Sequence, residues 1–179
     1  MTWQTRDSKI VYENRWISVR EDQVTGPGGD GIYGVVTLRH PAVFVVALDA
    51  SDRVCLVTLD RYTTGRSIEV PAGGTDGEDP IIAAQREFVE ETGLHADEWT
   101  LLGEMTALNG VTVAPEFVFL ARGIRAHASR TDGQTEEGIQ DVSWVPFPEV
   151  VEMIADGRIR DGETIAALTY AAIHLGRLR

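Results

Sequence analysis

The sequence predicts an α/β protein, a mixed β-sheet sandwiched between helices, and three observations lead there. Two runs of strand length, Ala42–Leu48 and Arg53–Asp60, are almost continuously apolar, the pattern of strands covered on both faces. A glycine-rich stretch, A-G-G-T-D-G-E-D, feeds a helical segment that stops at Gly93. Two further helical patterns follow a last strand. The chain has 179 residues, 43% of them hydrophobic, which suits one domain with a substantial core and leaves no room for a second catalytic unit.

The elements follow in order. Residues 9–24, K-I-V-Y-E-N-R-W-I-S-V-R-E-D-Q-V, alternate loosely and are rich in Val, Ile, Tyr and Trp, which marks one or two strands. The run G-P-G-G-D-G at 26–31 turns the chain, and Ile32–Arg39 returns as a strand. Residues 1–40 thus form a small N-terminal β subdomain ahead of Pro41, and residues 41–179 the main domain. Ala42–Leu48 and Arg53–Asp60, separated by D-A-S-D, read as a hairpin. The polar loop R-Y-T-T-G-R-S holds Arg61 and Arg66, which are either a bidentate clamp for a diphosphate or two solvated charges. A short strand, I-E-V, then enters Pro71-Ala72-Gly73. After the helix, Trp99–Met105 and Glu116–Ala121 are strands joined by A-L-N-G-V-T-V-A-P, a loop long enough to contact a ligand. Residues 122–140 read as a polar loop and Asp141–Val145 as the last strand. Glu149–Ala155 and Glu163–Leu175 are helices, the second with Ile165, Leu168, Ala172 and Leu175 on one face.

Charge narrows the partners. With 28 acidic against 16 basic residues the net charge is −12, which argues against a nucleic-acid or anionic-membrane surface. An acidic protein that acts on phosphates must bring cations with it. The N-terminal M-T-W-Q-T-R-D-S-K has no apolar signal core, and no run approaches the roughly 18 apolar residues of a membrane span, so the expectation is a cytoplasmic protein. The single Cys55, in V-C-L-V, excludes an intramolecular disulfide and reads as a buried strand residue. His40, His95, His127 and His174 show no ligand spacing.

The helix carries the chemistry. Asp79 is a good N-cap, Pro80 suits the first helical position and Gly93 the C-terminal stop. Stepping 100° per residue puts Ile81, Ala84 and Phe88 on one stripe and Glu87, Glu90 and Glu91 on a neighbouring arc, with the small Ala83 among them. Each like-charge pair at this spacing destabilises an isolated helix by roughly 0.2–0.5 kcal/mol. Glu90 and Glu91 also stand in the last turn, where the macrodipole disfavours them. Arg86, the only cation in the segment, can pair with Glu90. The arc is therefore either a site for a hard divalent cation, Mg²⁺ or Mn²⁺, or a solvated acidic face.

From Glu78 onward the stretch resembles the Nudix box of the Nudix hydrolases, G-x5-E-x7-R-E-U-x-E-E-x-G-U with U aliphatic: Glu78, seven residues, Arg86-Glu87, Phe88, Glu90-Glu91, Gly93, Leu94. Phe88 replaces the usual aliphatic residue. Only four residues separate Gly73 from Glu78, so either the loop is one residue shorter or Ala72 stands in the glycine's place. The resemblance implies the Nudix fold and metal-dependent cleavage of a diphosphate within a nucleoside diphosphate joined to another group. It implies Glu87, Glu91 and the Ala72 carbonyl as ligands of Mg²⁺ or Mn²⁺, Glu90 as a further ligand or a group that orients water, and Arg86 holding it. Gly73 belongs to the phosphate-handling loop, and Glu78 fixes that loop to the helix.

Beyond the box the chain is most similar to the ADP-ribose pyrophosphatases, which cut ADP-ribose to AMP and ribose 5-phosphate. Their arginine shortly before E-x-P-A-G corresponds to Arg61, with Arg66 second. Their catalytic glutamate, kept in a loop, corresponds to Glu137, with Glu136 the alternative, and their N-terminal β unit implies a homodimer. One departure touches the substrate: Leu108-Asn109-Gly110 stands where many of them have serine-proline-glycine, and Ala114 falls where an acid would align. Glu116 either substitutes for that acid or is a solvent-facing residue at a strand start, and the second reading is preferred. Two other functions stay open, hydrolysis of a nucleoside triphosphate or another nucleotide sugar, and a non-catalytic nucleotide sensor. The intact Arg86, Glu87, Glu90 and Glu91 oppose the sensor.

Overall fold

The computed structural model describes residues 2–126 and 138–178. Its strands are β1 (Gln4–Glu13), β2 (Ile17–Gly26), β3 (Gly29–Leu38), β4 (Ala42–Ala47), β5 (Arg53–Arg61), β6 (Gly65–Glu69), β7 (Ala72–Gly74), β8 (Leu94–Thr106), β9 (Thr112–Val113), β10 (Pro115–Ala126) and β11 (Ile139–Pro146). Among the described residues three helices accompany them: α1 (Pro80–Thr92) between β7 and β8, then α2 (Phe147–Ala155) and α3 (Gly162–His174) after β11.

The two apolar runs become strands buried along nearly their whole length, as expected, but they are not a hairpin. β4 lies in a mixed sheet of order β7-β4-β10-β8, parallel to β10 and antiparallel to β7. β5 lies in a second sheet, β11-β5-β6, antiparallel throughout. A single bridge, Leu48 to Val54, joins the two. The Asp49 carboxylate turns the connection by accepting the Ser51 and Arg53 N–H groups, both at 2.9 Å. The turn was legible, whereas the divergence of the strands depends on what each pairs with later in the chain.

Side-chain alternation along β4 splits the core. Phe44, Val46 and Leu48 face Leu168, Ala171 and Ala172 of α3, and Val43, Val45 and Ala47 face Ala83, Ala84 and Phe88 of α1. Burial on both faces explains the unbroken hydrophobicity of the run. Other elements are longer than their hydrophobic patterns. β8 begins at Leu94, straight after the helix stop, and β10 and β11 take up residues 122–126 and 139–140 that the sequence reading left in a polar loop. β1 begins at Gln4 among polar residues that show no alternation because all ten positions of the strand are exposed.

The N-terminal strands form the third sheet, β1-β2-β3-β9. Its last strand comes from the segment expected to be only a loop. Thr112 and Val113 run parallel to Val36 and Thr37, the Val36 N–H donates to the Val111 carbonyl at 2.9 Å, and the Tyr33 hydroxyl donates to the Gly110 carbonyl. The loop at 107–114 is thus tied to the N-terminal sheet.

Phe88 fills the space between α1 and β8, fully buried and edge-on to Trp99 with ring centroids 6.0 Å apart. Its aromatic ring, unusual at this position of the resembled motif, is matched to that tryptophan. Phe88→Ala is expected to destabilise the fold by about 3–5 kcal/mol, read as a lower urea midpoint with unchanged slope.

Candidate active site

The local sequence of α1 sets its rotation and length. The Asp79 carboxylate accepts the Ile81 N–H at 3.1 Å, Pro80 opens the helix, and Gly93 closes it at φ 69°, donating its N–H to the Val89 carbonyl at 2.8 Å. The face turned to the sheet holds Ala83, Ala84, Glu87, Phe88, Glu91 and Thr92. Two of the three acids therefore point inward: Glu87 is 7% and Glu91 3% exposed, while Glu90 is half-buried and Ile81, expected on the apolar stripe, only partly covered.

β7 meets this face. The Ala72 N–H donates to Glu91 Oε2 at 2.9 Å. At Gly73 the backbone approaches Glu87 so closely that a Cβ there would lie 2.1 Å from the Glu87 Cδ. A side chain at 73 would require the Glu87 carboxylate to move, whereas Ala72 packs its methyl against the core on the α3 side.

Arg86 binds the assembly together. Its Nε donates to Glu78 at 2.9 Å, its Nη1 to Glu87 at 2.8 Å and Glu90 at 3.0 Å, and its Nη2 to the Gly74 carbonyl at 3.0 Å. Burial works against its charge, but the bond with Glu78, the charge of Glu87 and the bonds with Glu87 and Glu90 more than offset this and raise its pKa. Glu78 lies outside the helix and fixes the loop to it, as expected.

On the other side of β7 opens a cavity of about 770 Å³, a size suited to a nucleotide. Arg61, Thr63, Thr64, Arg66, Ser67 and Glu69 of the β5–β6 hairpin line one side of it. Ala42, Phe44, Ala72, Gly73 and Glu116 come from the mixed sheet, and Arg160, Asp161, Gly162 and Glu163 from the start of α3. Two bonds place that helix end: Asp161 caps it by accepting the Thr164 N–H at 2.7 Å, and the Val70 N–H donates to the Thr164 hydroxyl at 3.2 Å.

Arg61 and Arg66 thus share one cavity with Ala72 and Gly73. Arg61 is held by Glu69 in a two-point pair, Nε to Oε1 at 3.1 Å and Nη2 to Oε2 at 2.5 Å. That bond raises its pKa, helped by the charges of Glu69, Glu91 and Asp161. Glu136 and Glu137 lie outside the described residues.

Glu116 corrects an expectation. It is not a solvent-facing acid: only 5% exposed, it faces Asp161 and Glu163 across the cavity, and burial, followed by the Glu163 and Asp161 charges, pushes its pKa up to about 7. It was misread because a strand's first residues are judged by local polarity, and the covering α3 lies 45 residues onward. Glu69, Asp161 and Glu163 were also missed as site residues. Glu69 stands in the E-x-P-A-G stretch already singled out, and D-G-E-T at 161–164 carries an N-cap signal. Cys55, whose pKa is pushed to about 12 by burial and then by the Glu91 charge, stays a thiol.

The donors suit a hard cation. Glu87 and Glu91 bring carboxylate oxygens to the Ala72–Gly73 backbone, which supplies neutral carbonyls, and the glycine leaves room that a Cβ would fill. Among the described residues no three Asp, Glu, His or Cys side chains converge as a ready cage. Mg²⁺ commonly binds through one or two carboxylates while keeping several waters, so this donor set fits it.

Comparison with known proteins follows the same lines. The NUDIX domain matches residues 38–168, and the nucleoside diphosphate sugar hydrolase N-terminal domain matches residues 3–36. The chain is 32% identical over 175 residues to the ADP-ribose pyrophosphatase of Mycobacterium tuberculosis, covering 96% of this chain and 83% of that protein. It is 29% identical over 183 residues to a CMP-5'-(N-acetyl-N-hydroxy-3-aminopropyl)phosphonate hydrolase of Streptomyces rubellomurinus, covering 100% and 86%. A GDP-mannose pyrophosphatase of Yersinia enterocolitica is 39% identical over 111 residues, 62% of this chain and 58% of that one. The crystal structure of an ADP compounds hydrolase superposes with a TM-score of 0.84 over 99% of this chain and 98% of that one at 18% identity, a likeness of fold.

The Glu116 shift gives a pH signature. From about pH 4.5, the ordinary value, to about 7 the folded state keeps a proton that the unfolded chain has lost. This group's contribution to stability is therefore full below that window and lost as pH rises through it. Glu116→Gln is expected to gain on the order of 2 kcal/mol over the parent between pH 5 and 8. Urea unfolding of the metal-free protein at pH 5, 6, 7 and 8 measures it, and a difference that stays flat with pH would sink the assignment.

Proposed function

Because the chain belongs to the NUDIX domain family and is a pyrophosphohydrolase, we propose that it cleaves the diphosphate bridge of ADP-ribose, giving AMP and ribose 5-phosphate. The observation that supports this most is the sharing of β7: one face of Ala72–Gly73 meets Glu87 and Glu91, and the other borders the cavity that holds Arg61 and Arg66. A diphosphate lying along β7 reaches both. Other nucleotide sugars are the second reading, favoured by Leu108-Asn109-Gly110 and by the GDP-mannose pyrophosphatase likeness.

In this proposal Glu87, Glu91 and the Ala72 carbonyl hold a divalent cation, Mg²⁺ or Mn²⁺. When bound, the cation neutralises charge on the diphosphate and makes water more acidic. Glu90 orients the attacking water or binds a further ion. Arg86 keeps Glu87 and Glu90 in position. Arg61, with Nε and Nη2 engaged by Glu69, offers its Nη1 donors to a phosphate oxygen, and Arg66 adds a second cation. Glu137, or Glu136 beside it, takes the proton from water within hydrogen-bond reach.

We further propose a homodimer formed through residues 1–40. β1 is an edge strand with every residue exposed, and Ile10, Tyr12 and Ile32 of this sheet, with Trp3 and Trp16 just outside its strands, are each more than half exposed. Of the described residues no helix is long and apolar enough to cross a membrane. A cytoplasmic setting belongs to the same proposal and is supported by the unpaired, buried Cys55.

Two experiments test these readings. With Mg²⁺ or Mn²⁺, AMP release from ADP-ribose is expected to be lost on chelation, to fall at least ~100-fold in Glu91→Gln, and to remain measurable in Glu137→Gln. A Glu91→Gln enzyme as active as the parent at saturating Mg²⁺ removes the metal assignment. Light scattering after size exclusion is expected to give a dimer mass for the parent and a monomer mass for Ile10→Asp; a monomeric parent ends the dimer proposal.

A further inference from the structure

In a chain with 28 acidic against 16 basic residues, an arginine ordinarily meets a carboxylate. Arg20, Arg39, Arg53, Arg86 and Arg177 each hold one within 3.0 Å. The cavity departs from this habit. Arg61, Arg66 and Arg160 all line it, and Arg61 pairs with Glu69. Arg66 and Arg160 enter no ion pair and donate no side-chain hydrogen bond among the described residues.

Arg160 stands on fixed ground. Ile159 before it is 1% exposed and donates its N–H to the Met153 carbonyl at 2.9 Å. Thr164, four residues on, is fully buried, and its hydroxyl accepts the Val70 N–H at 3.2 Å. These two anchors hold the backbone between them, and Arg160 is the exposed long side chain which that backbone brings to the cavity. The acids nearest in sequence are engaged elsewhere. Asp161 accepts the Thr164 N–H at 2.7 Å, and Glu163 hydrogen-bonds Asp161. Arg158, two residues back, pairs with Asp156 at 2.8 Å, so the segment gives one arginine to an acid and leaves the other to the cavity.

We propose that Arg160 is a further substrate-binding residue: together with Arg66 it grips the diphosphate, so that the segment before α3 adds a cation to the site. The inference rests on the reading above, in which a diphosphate lies along β7, and adds a contact to it. Glu69, Glu116, Asp161 and Glu163 line the same cavity, so an anion is attracted only by positive charge that these acids have not already taken up. Arg61 has two of its donor atoms on Glu69, whereas Arg66 and Arg160 keep all of theirs. A planar guanidinium suits phosphate oxygens, which it meets with two parallel bonds. Two such groups carried on separate elements also orient the ligand, which one alone does not.

The test uses the full chain as the parent, Arg160→Ala and Arg160→Lys. With ADP-ribose and Mg²⁺, Arg160→Ala is expected to raise KM by about 10–100-fold and to change kcat by less than about threefold, the loss of one hydrogen-bonded charge contact. Arg160→Lys, which keeps the charge without the fork, is expected to fall between the two. The parent KM is expected to rise more steeply with NaCl than that of Arg160→Ala, which has one screened contact fewer. Because Arg160 is exposed and unpaired, the urea midpoint is expected to stay where it is in both variants. A KM in Arg160→Ala within about twofold of the parent, or the same salt dependence in both, overturns the proposal. A KM loss that comes with a lowered urea midpoint assigns Arg160 to the fold and overturns it as well.

Calorimetric titration with ADP separates this failure from failure of the hydrolase reading. A parent that turns over no ADP-ribose ends that reading alone. ADP bound at least about tenfold more weakly by Arg160→Ala then still supports the arginine contact. A smaller loss, or a parent that binds no ADP, rejects it.

Discussion

The structure around the candidate site depends on the contacts of one guanidinium. Arg86 donates to Glu78, Glu87, Glu90 and the Gly74 carbonyl, so a single cation joins loop, strand and helix. Without it Glu87 and Glu91 would be two buried carboxylates with Glu90 beside them on a helix end that already disfavours negative charge. With it the acids stay gathered, and β7 lies close enough that a side chain at Gly73 would displace the Glu87 carboxylate. The same contacts fix where the carboxylates stand relative to β7, the kind of positioning that such chemistry requires.

The cavity arises from a different constraint, the parting of β4 and β5. Had they formed the hairpin their sequence resembles, the β5–β6 hairpin would continue the mixed sheet. Because β5 pairs with β11, it leaves a gap bounded by β7, β4 and β10 below and the start of α3 beside it. Arg61 bridges that gap electrically, since it is bonded to Glu69 and feels the charges of both Glu91 and Asp161. The acidic helix and the cavity therefore share a boundary, the three residues of β7.

Much of this was legible in the chain. The caps of α1, the i,i+4 pair of Arg86 with Glu90 and the double-sided burial of β4 follow from spacings that a helix or strand fixes over a few residues. The ends of β1, β8, β10 and β11 were not legible, because polar residues on exposed strand segments carry no alternation to read. Glu116 was misjudged for the opposite reason: its surroundings are supplied by α3, and nothing within ten residues reveals them. The segment at 107–114 showed its turn residues but not its pairing with β3, which joins it to strands more than seventy residues earlier.

The sequence by itself determined which side chains the box helix gathers, because cap signals and a 3.6-residue repeat dictate which of them share a face without reference to the rest of the chain. It also set three acids around a single arginine in a chain of net charge −12. Only the tertiary structure decided which acids are buried, that Gly73 lies against the Glu87 carboxylate while Ala72 packs on the opposite side, and that Glu116 lines the cavity. Those outcomes depend on how closely β7, β10 and the start of α3 approach one another, a distance set by packing of non-local elements that no local pattern encodes.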